Sequence, residues 1–207
     1  MSDPIPPLRQ TLARIADLRV ACGRDPDTCP DVAQLSYDTG VSEEDVRILL
    51  EDGEPVPVDP DTRVRDRVRF LYETRTEAGE PHDIHTLAAA IEATPTWTRK
   101  LVAGDAKPSI VAGHQLARHY GVAATFLTDS PVDAVNRELQ AVVFDLEVEA
   151  DPERKLKDLG VAHIAGRTAG WDRAGLAEVV KMVADIQAGL NKVTGIVAAQ
   201  MTAEETP

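Results

Sequence analysis

Length, composition and charge exclude several protein classes at the outset. The chain has 207 residues, of which 43% are hydrophobic and only 4% aromatic, and its net charge is −13. No apolar run reaches the roughly 20 residues of a membrane-spanning helix, and residues 1–7 do not resemble a signal peptide, so we expect a cytoplasmic protein without a membrane partner. Strand signals are nearly absent, which makes all-α the predicted fold class.

The negative charge is spread unevenly along the chain. Residues 28–81 hold six bases and fourteen acids, and residues 131–207 hold eight bases and thirteen acids, whereas residues 82–130 are neutral with four of each. A strongly acidic chain argues against simple nucleic-acid binding, but a neutral-to-positive patch on an acidic body can still bind DNA. We therefore expect modest DNA affinity with a strong dependence on salt.

The first 60 residues are predicted to form an acidic helical module. Residues 8–22 carry apolar side chains near helical spacing, which predicts an amphipathic helix: Leu8, Leu12, Ile15, Leu18 and Val20. A loop of turn formers follows over residues 23–30. Residues 31–53 resemble the central motif of the chain, with glycines and prolines at similar offsets, and we interpret this as an internal duplication.

The second helix of this first copy begins with the run Ser42-Glu43-Glu44-Asp45. Its carboxylates occupy the positions that would approach DNA phosphates, and one such contact costs about 1 kcal/mol even at the dielectric constant of bulk water. Locally the same acids suit a helix N-terminus, and Ser42 with Asp45 resembles a capping box. We expect a degenerate helix-turn-helix that folds well, binds DNA badly, and serves for packing or for a protein partner.

A proline-punctuated linker, residues 54–61, precedes a helix that the pattern predicts from Thr62 to about Arg75. Basic residues are spread round this helix and alternate with acids. We expect most of them to form a solvated, salt-bridged surface, with one or two touching phosphates beside the central motif. These residues are Arg63, Arg65, Arg67, Arg69 and Arg75.

Residues 82–128 carry the pattern of a helix-turn-helix with supporting helices, inside a predicted DNA-binding domain of residues 61–130. Asp83 is the predicted N-cap of a first helix that ends near Glu92. Thr94 then caps a second helix, and Pro95 takes its first position, where a missing N–H costs nothing. Gly104 is a natural left-handed stop after that helix.

A third helix is predicted from Ile110 to the Tyr120-Gly121 pair, after the turn Asp105-Ala106-Lys107-Pro108-Ser109. Its apolar positions place Ile110, Leu116 and Ala117 toward the core. The layout of helix, short turn, helix, glycine stop and further helix is typical of proteins that place the second helix in the major groove of DNA.

The second helix, residues 94–103, is the predicted reading helix because its outward side chains include two cations and no acid. Arginine and lysine reach phosphates or the O6 and N7 atoms of guanine, and threonine bonds a base or a phosphate. The predicted major-groove residues are Thr94, Thr96, Trp97, Arg99 and Lys100, and the predicted phosphate contacts are Lys107, Ser109 and Arg118. The alternative is a helical hairpin packed for structure alone, with Trp97 in the core.

The remaining chain, residues 131–207, is predicted to be a helical dimerisation domain. Amphipathic helices are expected over 132–148 and 152–169, followed by a break with Asp172 as N-cap and a long helix from Arg173. The last helix carries an apolar stripe that is long for so small a helical piece to cover, which indicates a dimer interface. An intrachain core is the alternative, and the tail from Thr202 is polar.

Catalytic and metal-binding patterns are weak. His82 and His85 share a helical face but lack a cysteine or carboxylate at suitable spacing, and a C-x6-C pair, Cys22 and Cys29, predicts reduced thiols rather than a metal site. The chain has no phosphate-binding loop, dinucleotide fingerprint or nucleophile elbow. We therefore expect no enzyme activity, no catalytic residues, no metal and no cofactor.

The central motif resembles the lambda-repressor-like (XRE-type, Cro/C1) DNA-binding domains. More narrowly, residues 66–190 are similar to the EspR-like regulators of actinobacteria, nucleoid-associated proteins with a C-terminal dimerisation domain. The resemblance rests on residues 94–104, 120–122, 126–129, 137–140 and 160–170. It implies a homodimer joined through residues 132–200 that presents two reading helices to DNA. At the position of Ile84 this family often has a polar residue that contacts phosphate, so Ile84 departs from the family pattern. The acidic module 1–60 lies outside the resemblance.

Two functions from different classes therefore remain. One is a dimeric transcriptional or nucleoid-associated regulator that reads double-stranded DNA and is located in the nucleoid. The other is an acidic protein-interaction adaptor or anti-regulator whose helix-turn-helix units bind another protein. Substitutions of Arg99 and Lys100 should impair the first function, and substitutions of residues 43–45 should impair the second.

Overall fold

The computed structural model describes residues 6–75, 83–160, 174–187 and 189, and within these ranges the chain is all-helical, as the sequence predicts. No helix of the described part is long and apolar enough to cross a bilayer. The helices are α1 (Leu8–Ala21), α2 (Val32–Thr39), α3 (Glu43–Leu50), α4 (Pro60–Thr74), α5 (Ile84–Ala90), α6 (Pro95–Val102), α7 (Ile110–His119), α8 (Pro131–Ala150) and α9 (Pro152–Asp158), followed by α10 over residues 174–187.

The chain divides into two compact units. Unit 1 contains residues 1–13 and 27–141, and unit 2 contains residues 14–26 and 142–207. The domain boundaries expected from the sequence, after residues 60 and 130, stay predictions.

Side-chain caps fix where the helices of unit 1 begin. Asp31, Ser42 and Asp83 each accept a hydrogen bond from the backbone N–H three residues later, which satisfies one of the open donors of the first turn. The expected start of α4 at Thr62 is wrong by two residues. Asp59 caps this helix by accepting from the Thr62 N–H, and Pro60 takes the first helical position.

The core of unit 1 gathers aliphatic and aromatic side chains from α4 to α7 and from the turn after α7. Helix α6 packs against both α4 and α5, and α5 also packs against α7. Because each of these helices is too short to be stable alone in water, burial of their apolar faces holds them in place. The buried members are Val68, Leu71, Leu87, Ile91, Leu101, Leu116, Phe126 and Leu127.

The expectation of a solvated, salt-bridged arginine surface on α4 is wrong for Arg67, although Arg69 pairs with Asp66 and Arg75 with Asp38. Arg67 is only 2% exposed, and its Nη1 donates to the backbone oxygens of Phe126 at 2.6 Å and Asp129 at 2.8 Å. Burial, and then the neighbouring charge of Arg63, lowers the pKa of Arg67 to about 10. The guanidinium keeps its proton at neutral pH, so it stays a charged donor to these oxygens.

Two further arginines of α4, and Arg75 at its C-cap, also donate to backbone oxygens within unit 1. Arg63 reaches the Thr128 oxygen, Arg69 reaches the Ala103 oxygen, and Arg75 reaches the Tyr37 oxygen. The Arg75 guanidinium also lies 3.7 Å from the centre of the Tyr37 ring. Helix α4 therefore connects the turn after α7, the end of α6 and helix α2 through arginine side chains.

Unit 2 has a small separate core formed by Val148, Leu156, Leu176 and Val180. Glu147 of this unit forms ion pairs with both Arg14, at 3.2 Å, and Lys155, at 2.5 Å.

Two expected features of unit 2 are wrong. Val20 belongs to the predicted apolar face of the first helix but is exposed. The helix expected over 152–169 ends at Asp158, because Gly160 adopts a left-handed φ of +77° directly afterwards. The expected Asp172 cap, the apolar stripe beyond residue 187 and the tail lie outside the described residues.

Candidate nucleic-acid interface

Helices α5, α6 and α7 follow one another with short connections, at the places that the sequence pattern predicts. Four residues join α5 to α6, and seven join α6 to α7. Thr94 caps α6 by accepting a hydrogen bond from the Trp97 N–H at 3.3 Å, and Pro95 is its first residue. Gly104 adopts a φ of +82° two residues beyond the helix, as expected for a left-handed stop.

The inward side of α6 fixes its rotation about its own axis. Leu101 and Thr98 are fully buried, and the Thr98 hydroxyl donates to the Thr94 carbonyl oxygen at 3.0 Å, so its burial leaves no polar group unsatisfied. Sequence reasoning missed Thr98, although its position three residues before Leu101 is a helical signal for the same face.

The outward side of α6 holds most of the predicted reading residues. Thr94, Thr96, Arg99 and Lys100 are all exposed. Within the described part of the chain, neither Arg99 nor Lys100 forms an ion pair or a side-chain hydrogen bond. An external anion could therefore bind these two cations without breaking a contact to any of the described residues.

Trp97 is placed differently from the other predicted reading residues. It is half-buried and packs against the hydrophobic core of unit 1. A tryptophan in that position contributes apolar area to the core and stays partly accessible to solvent.

The three predicted phosphate contacts lie after α6 and are all exposed. Ser109 caps α7, and its Oγ accepts from the Ala112 N–H at 3.2 Å, so the hydroxyl proton remains available to a phosphate. The Lys107 ammonium donates to both carboxylate oxygens of Asp61, at 2.8 and 2.9 Å. This hydrogen bond is the main reason that the pKa of Asp61 lies below its usual range. Arg118 lies in the last turn of α7.

Arg69 is a residue of this region that sequence reasoning assigned to the solvated surface. Its Nη2 donates to the Ala103 carbonyl oxygen at 2.8 Å, which satisfies a backbone acceptor at the end of α6. The guanidinium occupies the space that a side chain at position 104 would need. Arg69 and Gly104 together therefore define the C-terminal end of α6.

The prediction that Ile110 faces the core is wrong. Ile110 is 94% exposed at the first position of α7, and Val111 beside it is 66% exposed. The core-facing positions of this helix are Ala112, Leu116 and Ala117. Periodicity does not show where the core ends, and Ile110 and Val111 at the start of α7 lie beyond its edge.

No protein-family model, curated protein or solved structure matches this chain.

Helix α3 has the same length as α6 and also begins with a hydroxyl side chain as its N-cap, but it carries the opposite charge. Ser42 caps it by accepting from the Asp45 N–H at 3.1 Å, in agreement with the predicted cap. Glu43, Glu44 and Asp45 fill its first turn, and Glu43 pairs with Arg47 at 2.5 Å. The one cation of this helix is thus already neutralised, in contrast to Arg99 and Lys100 of α6.

The described residues do not support a metal site. Within these ranges no group of three histidine, cysteine or acidic side chains is arranged to hold a metal ion. Cys29 is exposed, and no disulfide joins it to Cys22. His85 is exposed on α5, and its expected neighbour His82 lies outside the described residues.

Proposed function

We propose that this protein is a DNA-binding regulator of transcription or of the nucleoid that places α6 in the major groove of double-stranded DNA. The observation that carries the proposal is the exposed pair Arg99 and Lys100. The pair has no acidic partner among the described residues, and it lies on a helix whose rotation is fixed by Leu101 and Thr98. Two adjacent cations on a helix with a fixed rotation can contact base edges and phosphates at the same time.

Three further features support the same interface. The Ser109 hydroxyl, the Lys107 ammonium and the Arg118 guanidinium are exposed along the segment that follows α6. Contacts of this kind fix the position of a protein on the phosphate backbone, while the reading helix supplies sequence preference. The proposal includes the lambda-repressor-like helix-turn-helix that the sequence resembles, and it is supported by the order and short connections of α5, α6 and α7.

We propose in addition that the regulator is a homodimer joined through its C-terminal helices. On α10 the side chains of Met182 and Ile186, four residues apart, are exposed on the same side of the helix. Two long apolar side chains in that spacing suit the seam between two helices. A dimer would present two copies of α6 to DNA, which suits a regulator that reads two half-sites about 10 base pairs apart.

The test is fluorescence anisotropy of the protein against fragmented genomic DNA over a salt series. The double variant Arg99→Ala with Lys100→Ala should weaken binding at least tenfold, because loss of one base or phosphate contact costs about 1–3 kcal/mol. The matched control is Arg154→Ala with Lys157→Ala, which removes the same charge from exposed positions of α9. Equal losses in both variants would point to net charge alone, and no binding by the folded parent protein at low salt would refute the proposal.

A protein-binding adaptor is the second candidate, favoured by the acidic first turn of α3. Glu43 and Glu44 are exposed, and the surrounding residues 28–81 carry a large excess of acids. Such a surface repels phosphates and attracts a basic protein surface. Substitution of both residues by lysine separates the candidates. It should raise non-specific DNA affinity if α3 lies near the DNA, and it should abolish partner binding if the adaptor function is correct.

A further inference from the structure

A cleft of about 780 Å³ opens within unit 2, and none of its lining residues belongs to the proposed DNA contact. Its walls come from the end of α1 with the residues just after it, from the second half of α8, and from the first half of α10. Val142 and Leu146 of α8 and Ala177 of α10 supply apolar side chains, and five of the other lining side chains are charged. A concave surface of this volume that combines apolar walls with a few polar groups is typical of small-molecule sites.

The five charged side chains of the cleft do not balance. Arg24 pairs with Glu149 at 2.7 Å and Lys181 pairs with Asp145 at 3.1 Å, so four of the five charges are matched within the cleft. Arg19 is the fifth. In the part of the chain that the structure describes, Arg19 forms neither an ion pair nor a side-chain hydrogen bond, and it is half-buried. The described lining therefore holds one unmatched positive charge.

The unmatched arginine indicates the class of ligand. Residues 131–207 carry more acids than bases, so a positive excess at this cleft is opposite in sign to the charge of the C-terminal part of the chain. A guanidinium presents parallel N–H donors that match the two oxygens of a carboxylate, and its attraction to an anion is strongest where water is partly excluded. One unmatched charge fits an anion of a single charge. A phosphate monoester carries almost two negative charges at neutral pH, and the second would face Asp145 and Glu149.

We propose that this cleft binds a small organic monocarboxylate, whose carboxylate pairs with the Arg19 guanidinium and whose apolar body packs against Val142, Leu146 and Ala177. The inference does not depend on the proposed DNA contact, because every lining residue belongs to unit 2. It assigns to unit 2 a binding site in addition to the proposed dimer contact. A bound ligand would contact α1, α8 and α10 together, so it would also stabilise the folded state of this unit.

The two cysteines of the chain allow ligand binding at this cleft to be measured. Cys22 lines the cleft and is half-buried, whereas Cys29 is exposed and lies outside it. The test measures by mass spectrometry the rate at which iodoacetamide alkylates each cysteine in the presence of phenylacetate. Phenylacetate should slow the alkylation of Cys22 about threefold or more, because a ligand in the cleft covers its thiol, and should leave the rate of Cys29 unchanged. Phenylacetamide and phenethylamine carry the same ring with a neutral and a positive head group, and they should give much less protection at the same concentration.

Substitution of Arg19 tests the proposed contact directly. Arg19→Gln should raise the phenylacetate concentration that gives half-maximal protection about tenfold, because the carboxylate loses a charge-assisted hydrogen bond. Arg154→Gln, at an exposed position of α9 outside the cleft, is the matched control and should leave that concentration unchanged. Circular dichroism establishes that both variants are folded, and the comparison of the three compounds tests the parent protein without any variant. The inference would be overturned by a lack of Cys22 protection by phenylacetate, by equal protection from all three compounds, or by an unchanged half-maximal concentration in folded Arg19→Gln. None of these results bears on DNA binding.

Discussion

Three glycines of unit 1 offer a graded test of how its helices are joined. Gly40, Gly104 and Gly121 all have φ between +65° and +82°, where glycine is favoured over every other residue. They differ in what a new side chain would meet. A methyl group at position 121 meets nothing within 4 Å, one at position 104 meets the Arg69 guanidinium, and one at position 40 lies 2.8 Å from the Phe126 ring.

The magnitudes follow from these surroundings. Placing alanine in the left-handed region costs about 1 kcal/mol, which is the whole effect expected for Gly121→Ala. Gly104→Ala also displaces Arg69 and breaks its hydrogen bond to the end of α6, so we expect about 2 kcal/mol. Gly40→Ala pushes against a buried aromatic ring that cannot swing into solvent, and overpacking of that kind raises the expected cost to about 3 kcal/mol.

The assay is urea unfolding of each variant followed by circular dichroism, with the free energy of unfolding taken by linear extrapolation. A second experiment repeats Gly104→Ala in an Arg69→Ala background, where its cost should fall to that of Gly121→Ala because the displaced group is absent. Equal costs for all three glycines would refute the reasoning, since the left-handed φ would then be the only determinant. A cost of Gly104→Ala that is unchanged in the Arg69→Ala background would show that Arg69 does not occupy this space.

Three other changes test the charged groups. Arg67→Met should lower the free energy of unfolding by about 2 kcal/mol in urea titrations, because the carbonyl oxygens of Phe126 and Asp129 lose a charged donor. An unchanged free energy of unfolding would mean that the cost of burying the guanidinium cancels its hydrogen bonds. Burial tends to raise the pKa of Glu147, but hydrogen bonding and charge from Lys155 and Arg14 outweigh it and lower that pKa. The charged Glu147 therefore stabilises the fold above the unfolded-state pKa of about 4.3, and this stabilisation is lost as the pH falls through the folded-state pKa. The free energy of unfolding of Glu147→Gln should accordingly be lower than that of the parent protein at pH about 6 and equal to it at pH about 3. Asp61→Asn releases Lys107 and should raise DNA affinity about threefold at low salt, with a smaller gain at high salt; an unchanged affinity would show that Lys107 does not touch DNA.

The local signals of the central motif were strong enough to predict its helices from the sequence. Asp83 and Thr94 are caps, and Gly104 is a left-handed stop, as predicted, because capping and a positive φ depend on residues that are neighbours in the chain. The rotation of α6 also followed from its pattern, since Leu101 is buried and Arg99 is exposed. Whether these exposed residues bind DNA stays a prediction.

The errors arose where the environment of a residue depends on distant parts of the chain. Arg67 looked like one of many surface arginines, but it is buried because the turn after α7, about sixty residues later, presents backbone oxygens to it. Ile110 looked like a core residue because periodicity carries no information about where the core ends. The end of α9 before Gly160 was overlooked although glycine gave a local signal, because the apolar pattern continued beyond it.

The arginines of α4 bear on how unit 1 folds. Their backbone acceptors are 34 to 65 residues away in sequence, whereas most contacts in a helical protein join near neighbours. Contacts of high sequence separation form only after long loops have closed, and a higher contact order slows folding. Unit 1 should therefore fold more slowly than its short helices suggest. Its amide protons in α2 and α6 should also exchange with solvent through a common opening, since α4 connects both helices to the same core.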